Sequence, residues 1–279
     1  MVQLSSPLAL RPFLKWAGGK RQLVPELLKY VPSGYGHYYE PFIGGGALLL
    51  TLQPERATIS DRNPELINCY QVVKDSVDDL IEHLQQHRNE KTYFYTVRGW
   101  DREAAFADKT RVQRAARIIF LNKTCYNGLF RVNSKGQFNA PFGRYKNPTI
   151  VDETVLRNVS QYLNQANVTI QQADFATTVA TAGHHDFVYF DPPYDPVSTT
   201  SSFTSYNRNG FDRTEQQRLK TVVDDLTRRD CKVLLSNAST DFIQDLYRDY
   251  RCVCVRATRA INSKATKRGK VDEILVMNY

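Results

Sequence analysis

Residues 188–194 read Val-Tyr-Phe-Asp-Pro-Pro-Tyr, an apolar strand that ends in an acid followed by two prolines and a tyrosine. The prolines hold the backbone extended and carry no N–H, so the turn offers acceptors with few competing donors. An exocyclic amine on a nucleobase has two hydrogens and a lone pair delocalised into its ring, which makes it a poor nucleophile. The Asp191 carboxylate and the Pro192 carbonyl can each accept one of those hydrogens, drawing the nitrogen toward tetrahedral geometry and aiming its lone pair at an electrophile. Tyr194 can stack on the base. The plainer alternative is a strand-ending turn. The combination Asp191-Pro192-Pro193-Tyr194 at the C-terminal end of a strand, where open α/β sheets bind ligands, favours the chemical reading.

Residues 40–46, Glu-Pro-Phe-Ile-Gly-Gly-Gly, form a second candidate. A glycine turn between strand and helix lets a ligand approach the backbone. The dinucleotide fingerprint fails here, because its third glycine position is Leu49. Asp61 follows Gly44 by 17 residues at the end of an expected strand, placed to accept from ribose hydroxyls. A nucleoside-bearing cofactor therefore fits, and no pyrophosphate is required. In residues 13–20, Phe-Leu-Lys-Trp-Ala-Gly-Gly-Lys, a phosphate loop is excluded by Leu14 and Arg21 at its defining positions. Lys20 is left to pair with a carboxylate, such as the methionine end of a cofactor.

Other chemistries fail on residue type. No cysteine follows a proline, so methylation at cytosine C5 lacks its nucleophile. The zinc deaminase pattern is absent. His83 and His87 are four apart, but Leu84 stands where a zinc protease needs glutamate; they read as a solvated helix face. No metal is called for.

The elements that must position these groups alternate. Strands are expected at the start of 38–50, at 56–61, 168–174, 187–191 and 232–236, with helices over 64–87 and 212–229. The alternation implies a mostly parallel sheet covered on both faces. Residues 251–255 and 273–277 read as an antiparallel hairpin at the sheet edge, joined by a basic loop. The middle differs: 76–122 reads as helical, and 123–149 is rich in Asn, Gly, Tyr and Arg. We read 76–149 as a helical insertion with a basic hairpin, between 1–75 and 150–279 of one α/β domain.

Charge follows this division. The net charge is +8, and residues 109–151 hold nine lysines or arginines with no acid, while 250–271 hold seven. Two such runs are expected to form positive surfaces, which points to nucleic acid. In 123–145, Tyr126 at a turn is placed to wedge between unstacked bases. Arg131 can present its two-pronged guanidinium to guanine O6 and N7. A solvated hairpin with accidental charge is the plainer alternative.

Five cysteines, an odd number with no CxxC, imply reduced thiols and a cytoplasmic location. Cys252 and Cys254 are expected on one strand face as small buried hydrophobes. The first ten residues lack the features of a signal peptide, and no run reaches the ~20 apolar residues of a membrane span. No membrane partner is expected.

With these motifs assembled, the chain resembles the Dam family of DNA adenine-N6 methyltransferases. The resemblance runs nearly end to end: FLKWAGGK at 13–20, EPFIGGG at 40–46, ISDRN at 59–63, the stretch 121–145, DPPY at 191–194, LLSN at 234–237 and KVDEIL at 270–275. The motif order is that of the α group of amino-methyltransferases. Lys123, Thr124 and Cys125 depart from the enterobacterial members.

The resemblance implies a Rossmann-like methyltransferase sheet with an inserted target-recognition domain. It implies methyl transfer from S-adenosyl-L-methionine to adenine in double-stranded DNA, within GATC, by base flipping. Trp16, Lys20, Asp61 and Asp191 would contact the cofactor, with Phe42 and Gly44 to Gly46 shaping its pocket and Asp174 and Phe175 on its adenine side. Lys15, Tyr126, Asn127, Leu129, Arg131, Asn133, Pro141, Arg144 and Tyr145 fall on positions that touch DNA in the family. A monomer is implied, with a cognate restriction endonuclease as a functional rather than physical partner. The rivals are methylation of cytosine N4, a glutamine-N5 protein methyltransferase, and a catalytically silent DNA-binding regulator.

Overall fold

The structure, a computed structural model, describes residues 10–16, 18–197, 211–258 and 270–279. Its elements in chain order are α1 (Val24–Leu27), β1 (Tyr38–Glu40), α2 (Ala47–Leu52), β2 (Arg56–Asp61), α3 (Pro64–Asp75), α4 (Val77–Gln85), α5 (Lys91–Gly99), α6 (Arg111–Thr124) and α7 (Glu153–Gln165). They continue with β3 (Asn167–Gln172), α8 (Phe175–Thr178), β4 (Phe187–Phe190), α9 (Arg213–Arg228), β5 (Lys232–Ala238), α10 (Asp241–Leu246), β6 (Arg251–Thr258) and β7 (Lys270–Met277). The chain forms two compact units. One gathers 1–17, 45–53 and 65–167; the other gathers 18–44, 54–64 and 168–279.

The second unit is a seven-stranded sheet of order β3-β2-β1-β4-β5-β7-β6. Strands β2, β1, β4 and β5 run parallel, and β7 is antiparallel to both β5 and β6. This is a Rossmann-like order, with its switch point between β1 and β4. The expected hairpin is present, with β7 inserted between β5 and β6; the basic loop that joins them falls on 259–269, outside the described residues. All four residues of β4 are buried, as its central place requires. One face of the sheet sets Val188, Phe190, Val233, Leu235, Ile274 and Val276 against Val179, Leu219, Val223, Leu226, Ile243 and Tyr247 from α8, α9, α10 and their ends. The period of two along each strand, and of three and four along α9, is the pattern that buries one face of each.

The first unit is helical. Thr110 and Gln113 close a reciprocal capping box at the start of α6, an arrangement in which the cap residue alone is worth ~1 kcal/mol. The Asp152 side chain caps α7, which buries Val155, Leu156, Val159, Tyr162 and Leu163 along one stripe. The helix expected over 64–87 is two, α3 and α4, separated at Ser76.

Three expectations are corrected. Cys252 and Cys254 are exposed, because β6 is the outermost strand of the sheet. His87 lies beyond α4 and is packed: its ring stacks on Phe120 at 4.5 Å and bonds the Tyr93 hydroxyl at 2.9 Å. Burial lowers its pKa to about 4. Arg117, one of the nine cations of the basic run, is 2% exposed and contributes no positive surface. Its guanidinium bonds the Val97 and Arg98 carbonyls and pairs with Asp101. Arg111, Arg131, Lys135, Arg144 and Lys146 are the members of that run which are exposed.

Candidate active site and nucleic-acid interface

In the sheet unit, β4 delivers Asp191 to the edge formed by the strands' C-terminal ends, beside the switch point. Lys20 Nζ and Ser236 Oγ both donate to Asp191 Oδ1, at 2.8 and 3.0 Å. Lys20 also donates to the Gly18 carbonyl and is 8% exposed at its side chain. Burial pushes the Asp191 carboxyl above the ordinary range, and Lys20 and Ser236 work against that shift. The Tyr194 ring lies under the same ammonium, 4.5 Å from ring centroid to Nζ, and its hydroxyl donates to Glu273 at 2.8 Å. Burial, with the nearby Asp191 and Glu273 charges, raises the Tyr194 pKa well above normal, so the phenol stays a neutral donor. Pro192 is buried, and the Pro193 carbonyl accepts from Gln216, which Asn237 holds in turn. Lys20, read from one motif, and Asp191 and Tyr194, read from another, are thus one cluster.

Asp61 ends β2 on the same side of the sheet. Its two oxygens accept from the backbone N–H groups of Asn63 and Gly44, at 2.9 and 3.4 Å. Gly44 has φ of 45°, in the left-handed region that favours glycine. Burial raises the Asp61 carboxyl to about 6, against those two hydrogen bonds. Asp174 caps α8 through the Ala176 N–H, and Arg62 and Arg218 engage its carboxylate. These partners hold its carboxyl far below the usual range. Phe175 is core: Arg218 covers its ring, and Phe42 stacks on it at 5.5 Å between centroids. Phe42, half-buried, carries the accessible part of that aromatic cluster.

The donor set fits S-adenosyl-L-methionine. A desolvated carboxylate suits a ribose diol, and an ammonium–carboxylate pair suits an α-amino acid. With Asp61 raised to about 6, cofactor affinity should fall as pH drops from 7 to 5. The sign follows from the expected bond: ribose hydroxyls would donate to the ionised form, and protonation from the raised pKa downward would remove it. Asp61→Asn should abolish this pH dependence, lose ~1.5–3 kcal/mol of cofactor binding, and leave thermal stability at pH 7 unchanged or higher. Calorimetric titration at pH 5, 6 and 7 checks it. A flat wild-type profile would remove Asp61 from the cofactor site.

The helical unit holds Trp16, Gly46 and every residue expected to touch DNA. Trp16 stacks on Phe130 at 4.9 Å, and Gly46, with φ of 67°, caps α2. Tyr126 is 45% exposed at the head of a turn in which Asn127 and Gly128 have φ of 57° and 65°. Lys15 lies against Gly128, where an added Cβ would come within 2.6 Å of it, and its ammonium sits 5.5 Å above the Tyr145 ring. Beyond the turn, the bridges Cys125–Phe142 and Val132–Phe138 define a sparse hairpin. Asn133 closes its tip, accepting from the N–H groups of Lys135 and Gln137. Arg131 is exposed, with its guanidinium laid along Asn139 at 2.7 and 3.0 Å. Leu129 is half-buried, and Pro141 and Arg144 are exposed.

Sequence reading missed the residues that hold these groups. Asn122 is fully buried; it accepts from the Lys15 N–H and donates to the carbonyls of Lys15 and Gly128. Its signal was one amide in the apolar run 118–122. Asp101, paired with Arg117, accepts from the Phe138 N–H and so anchors the returning arm of the hairpin. Ser236 and Glu273 lay inside LLSN and KVDEIL without an assigned role.

A Rossmann-like sheet with Asp-Pro-Pro-Tyr following β4 defines the class, an S-adenosyl-L-methionine-dependent methyltransferase. Residues 16–261 match the D12 class N6 adenine-specific DNA methyltransferase family. The chain belongs to that family and is an adenine-specific DNA methyltransferase. It is 47% identical to a type II methyltransferase of Lactococcus lactis subsp. cremoris, over 97% of this chain and 96% of that protein. It is 44% identical to a type II methyltransferase of Methanocaldococcus jannaschii, over 97% and 99%. A DNA adenine methylase of Serratia marcescens is 35% identical over 96% and 98%. Among the described residues no helix is long and apolar enough to cross a membrane.

Proposed function

We propose that the chain methylates adenine N6 within GATC in double-stranded DNA, acting as a monomer in the cytoplasm on a base rotated out of the duplex. The observation that carries this reading is the convergence of Lys20, Asp191 and Tyr194 at the end of β4. Rotating the base out costs a few kcal/mol, which DNA contacts made by residues 123–146 must offset. Asp191 Oδ2 and the Pro192 carbonyl accept the two amine hydrogens and aim the nitrogen lone pair. Tyr194 stacks on the base. When bound, S-adenosyl-L-methionine supplies a sulfonium methyl for in-line displacement. Catalysis is then positioning with one acceptor rather than strong base chemistry, since the nitrogen becomes acidic only once alkylated. Asp61 holds the ribose. Asp174 and Phe175, as the cap and core of α8, support the adenine side of the pocket with Phe42.

In this reading 76–149 is the target-recognition insertion. Asn127, Leu129, Asn133, Pro141, Arg144 and Tyr145 flank the Tyr126 wedge and Lys15. The names of two relatives, type II methyltransferases, support a restriction enzyme as functional partner. Methylating a GATC duplex and its single-base variants tests the target, and 2-aminopurine at the adenine position reports rotation. Equal rates on all duplexes would overturn the GATC assignment.

The same duplexes separate base reading from phosphate binding. Arg131→Ala is expected to lower discrimination at one base pair by ~1–3 kcal/mol. Lys146→Ala is expected to weaken all sequences alike and to reduce the salt slope by about one counterion. If Arg131→Ala lowers activity equally on every duplex, Arg131 binds phosphate only.

A further inference from the structure

Two strands reach the cluster from behind. Ser236 on β5 holds Asp191, and Glu273 on β7 holds the Tyr194 hydroxyl. The antiparallel register sets Glu273 opposite Ala238 of β5 and Val255 of β6, at the head of the buried run Glu273, Ile274, Leu275, Val276 and Met277. At 7% exposure, a carboxylate in such a run is unfavourable unless a donor satisfies it, so apolar packing of β7 does not call for it. The Tyr194 ring is held at both ends, by Lys20 on its face and by Glu273 at its hydroxyl.

We propose that Glu273 is a positioning residue for methyl transfer: it keeps the Tyr194 ring in the place where the target base stacks. Lys20 lies over a face of the ring and is also committed to Asp191, whereas Glu273 bonds the rim and leaves the faces to a base. The hydroxyl lies at the opposite end of the phenol and stays bonded to Glu273 throughout. Swing of the phenol about its Cα–Cβ bond would otherwise disperse the base among poses that do not align its amine with Asp191. This inference rests on the assignment of Tyr194 as the base platform.

The test is methylation of a duplex by the full chain carrying Glu273→Leu, Glu273→Gln, Tyr194→Phe, their doubles, and Tyr194→Ala. Glu273→Leu should lower kcat about tenfold, while Glu273→Gln, which keeps an acceptor, should recover most of that loss. Cofactor and DNA dissociation constants should stay within about twofold of wild type. 2-Aminopurine emission at the target position should rise as kcat falls, because a base that leaves the Tyr194 ring is no longer quenched by stacking. In the Tyr194→Phe background neither Glu273 change should lower kcat further. Equal losses with and without the hydroxyl, or an unchanged kcat, would overturn the proposal. Should Glu273→Leu not fold, Tyr194→Phe cuts the same bond from the other side, and wild-type kcat and emission there overturn it equally. Wild-type kcat in Tyr194→Ala would instead overturn the platform assignment itself. Loss in Tyr194→Ala with none in Tyr194→Phe would overturn only the role of Glu273.

Discussion

Asp191→Asn is expected to lower kcat by about a hundredfold or more, as removal of one preorganised polar group does elsewhere, with DNA affinity retained. Asparagine matches the shape of aspartate, but its single acceptor oxygen can serve Ser236 or the target amine and not both, and it lacks the charge that polarises the nitrogen. Alanine is the poorer probe. Lys20 is 8% exposed at its side chain and pairs with Asp191 at 2.8 Å, so Asp191→Ala strands a buried ammonium. Breaking a buried pair from one side destabilises by ~3–5 kcal/mol. Lost activity in the alanine variant would therefore mix catalysis with folding, and adding Lys20→Met should restore the thermal midpoint but not the rate. The measurements are single-turnover methylation, duplex binding by anisotropy, and thermal unfolding. Single-turnover rates within about tenfold of wild type for Asp191→Asn would remove Asp191 from the chemical step.

Asn122→Ala should lower stability strongly and also impair DNA binding. One amide joins three backbone groups, the Lys15 N–H and the carbonyls of Lys15 and Gly128. Orphaning buried polar groups costs ~1–3 kcal/mol each where water cannot reach them, so a total of ~3 kcal/mol or more is expected. The thermal midpoint should fall by roughly 6–12 °C. The segment carrying Lys15 and the turn carrying Tyr126 then lose their common tie. Duplex affinity should drop before cofactor affinity does. Asn122→Asp distinguishes hydrogen bonding from packing. It has the same size and keeps one acceptor, but turns an oxygen toward two carbonyls, and should be at least as damaging as alanine. If the aspartate variant melts with wild type, the amide is a space filler.

Period and punctuation carried most of the fold. The run 187–190 is short, apolar and closed by prolines, which leaves a buried strand as its reading. Residues 212–229 repeat apolar side chains at helical spacing behind an aspartate that does cap the helix. Where the reading of Cys252 and Cys254 failed, local pattern was sound and neighbourhood decided: the strand is β-prone, but it is the outermost one. His87 failed for a related reason. Spacing to His83 suggested a shared face, whereas stacking on Phe120 is a long-range event that no local period encodes.

The sequence by itself determined which groups are candidates for the chemistry, because an acceptor, a platform and a cation have to be particular residue types beside particular turns. Asp191, Tyr194, Lys20 and Asp61 were legible for that reason. What only the tertiary structure decided was which partner each one has. Lys20 is 171 positions from Asp191, Glu273 is 79 from Tyr194, and Asn122 is 107 from Lys15. Arg117 shows the same limit from the other side, since a cation in a basic run reads as surface until Asp101 and two carbonyls enclose it. Residue type sets what a side chain can donate or accept. Burial and partner are set by strand register and helix packing, which join positions far apart in the chain.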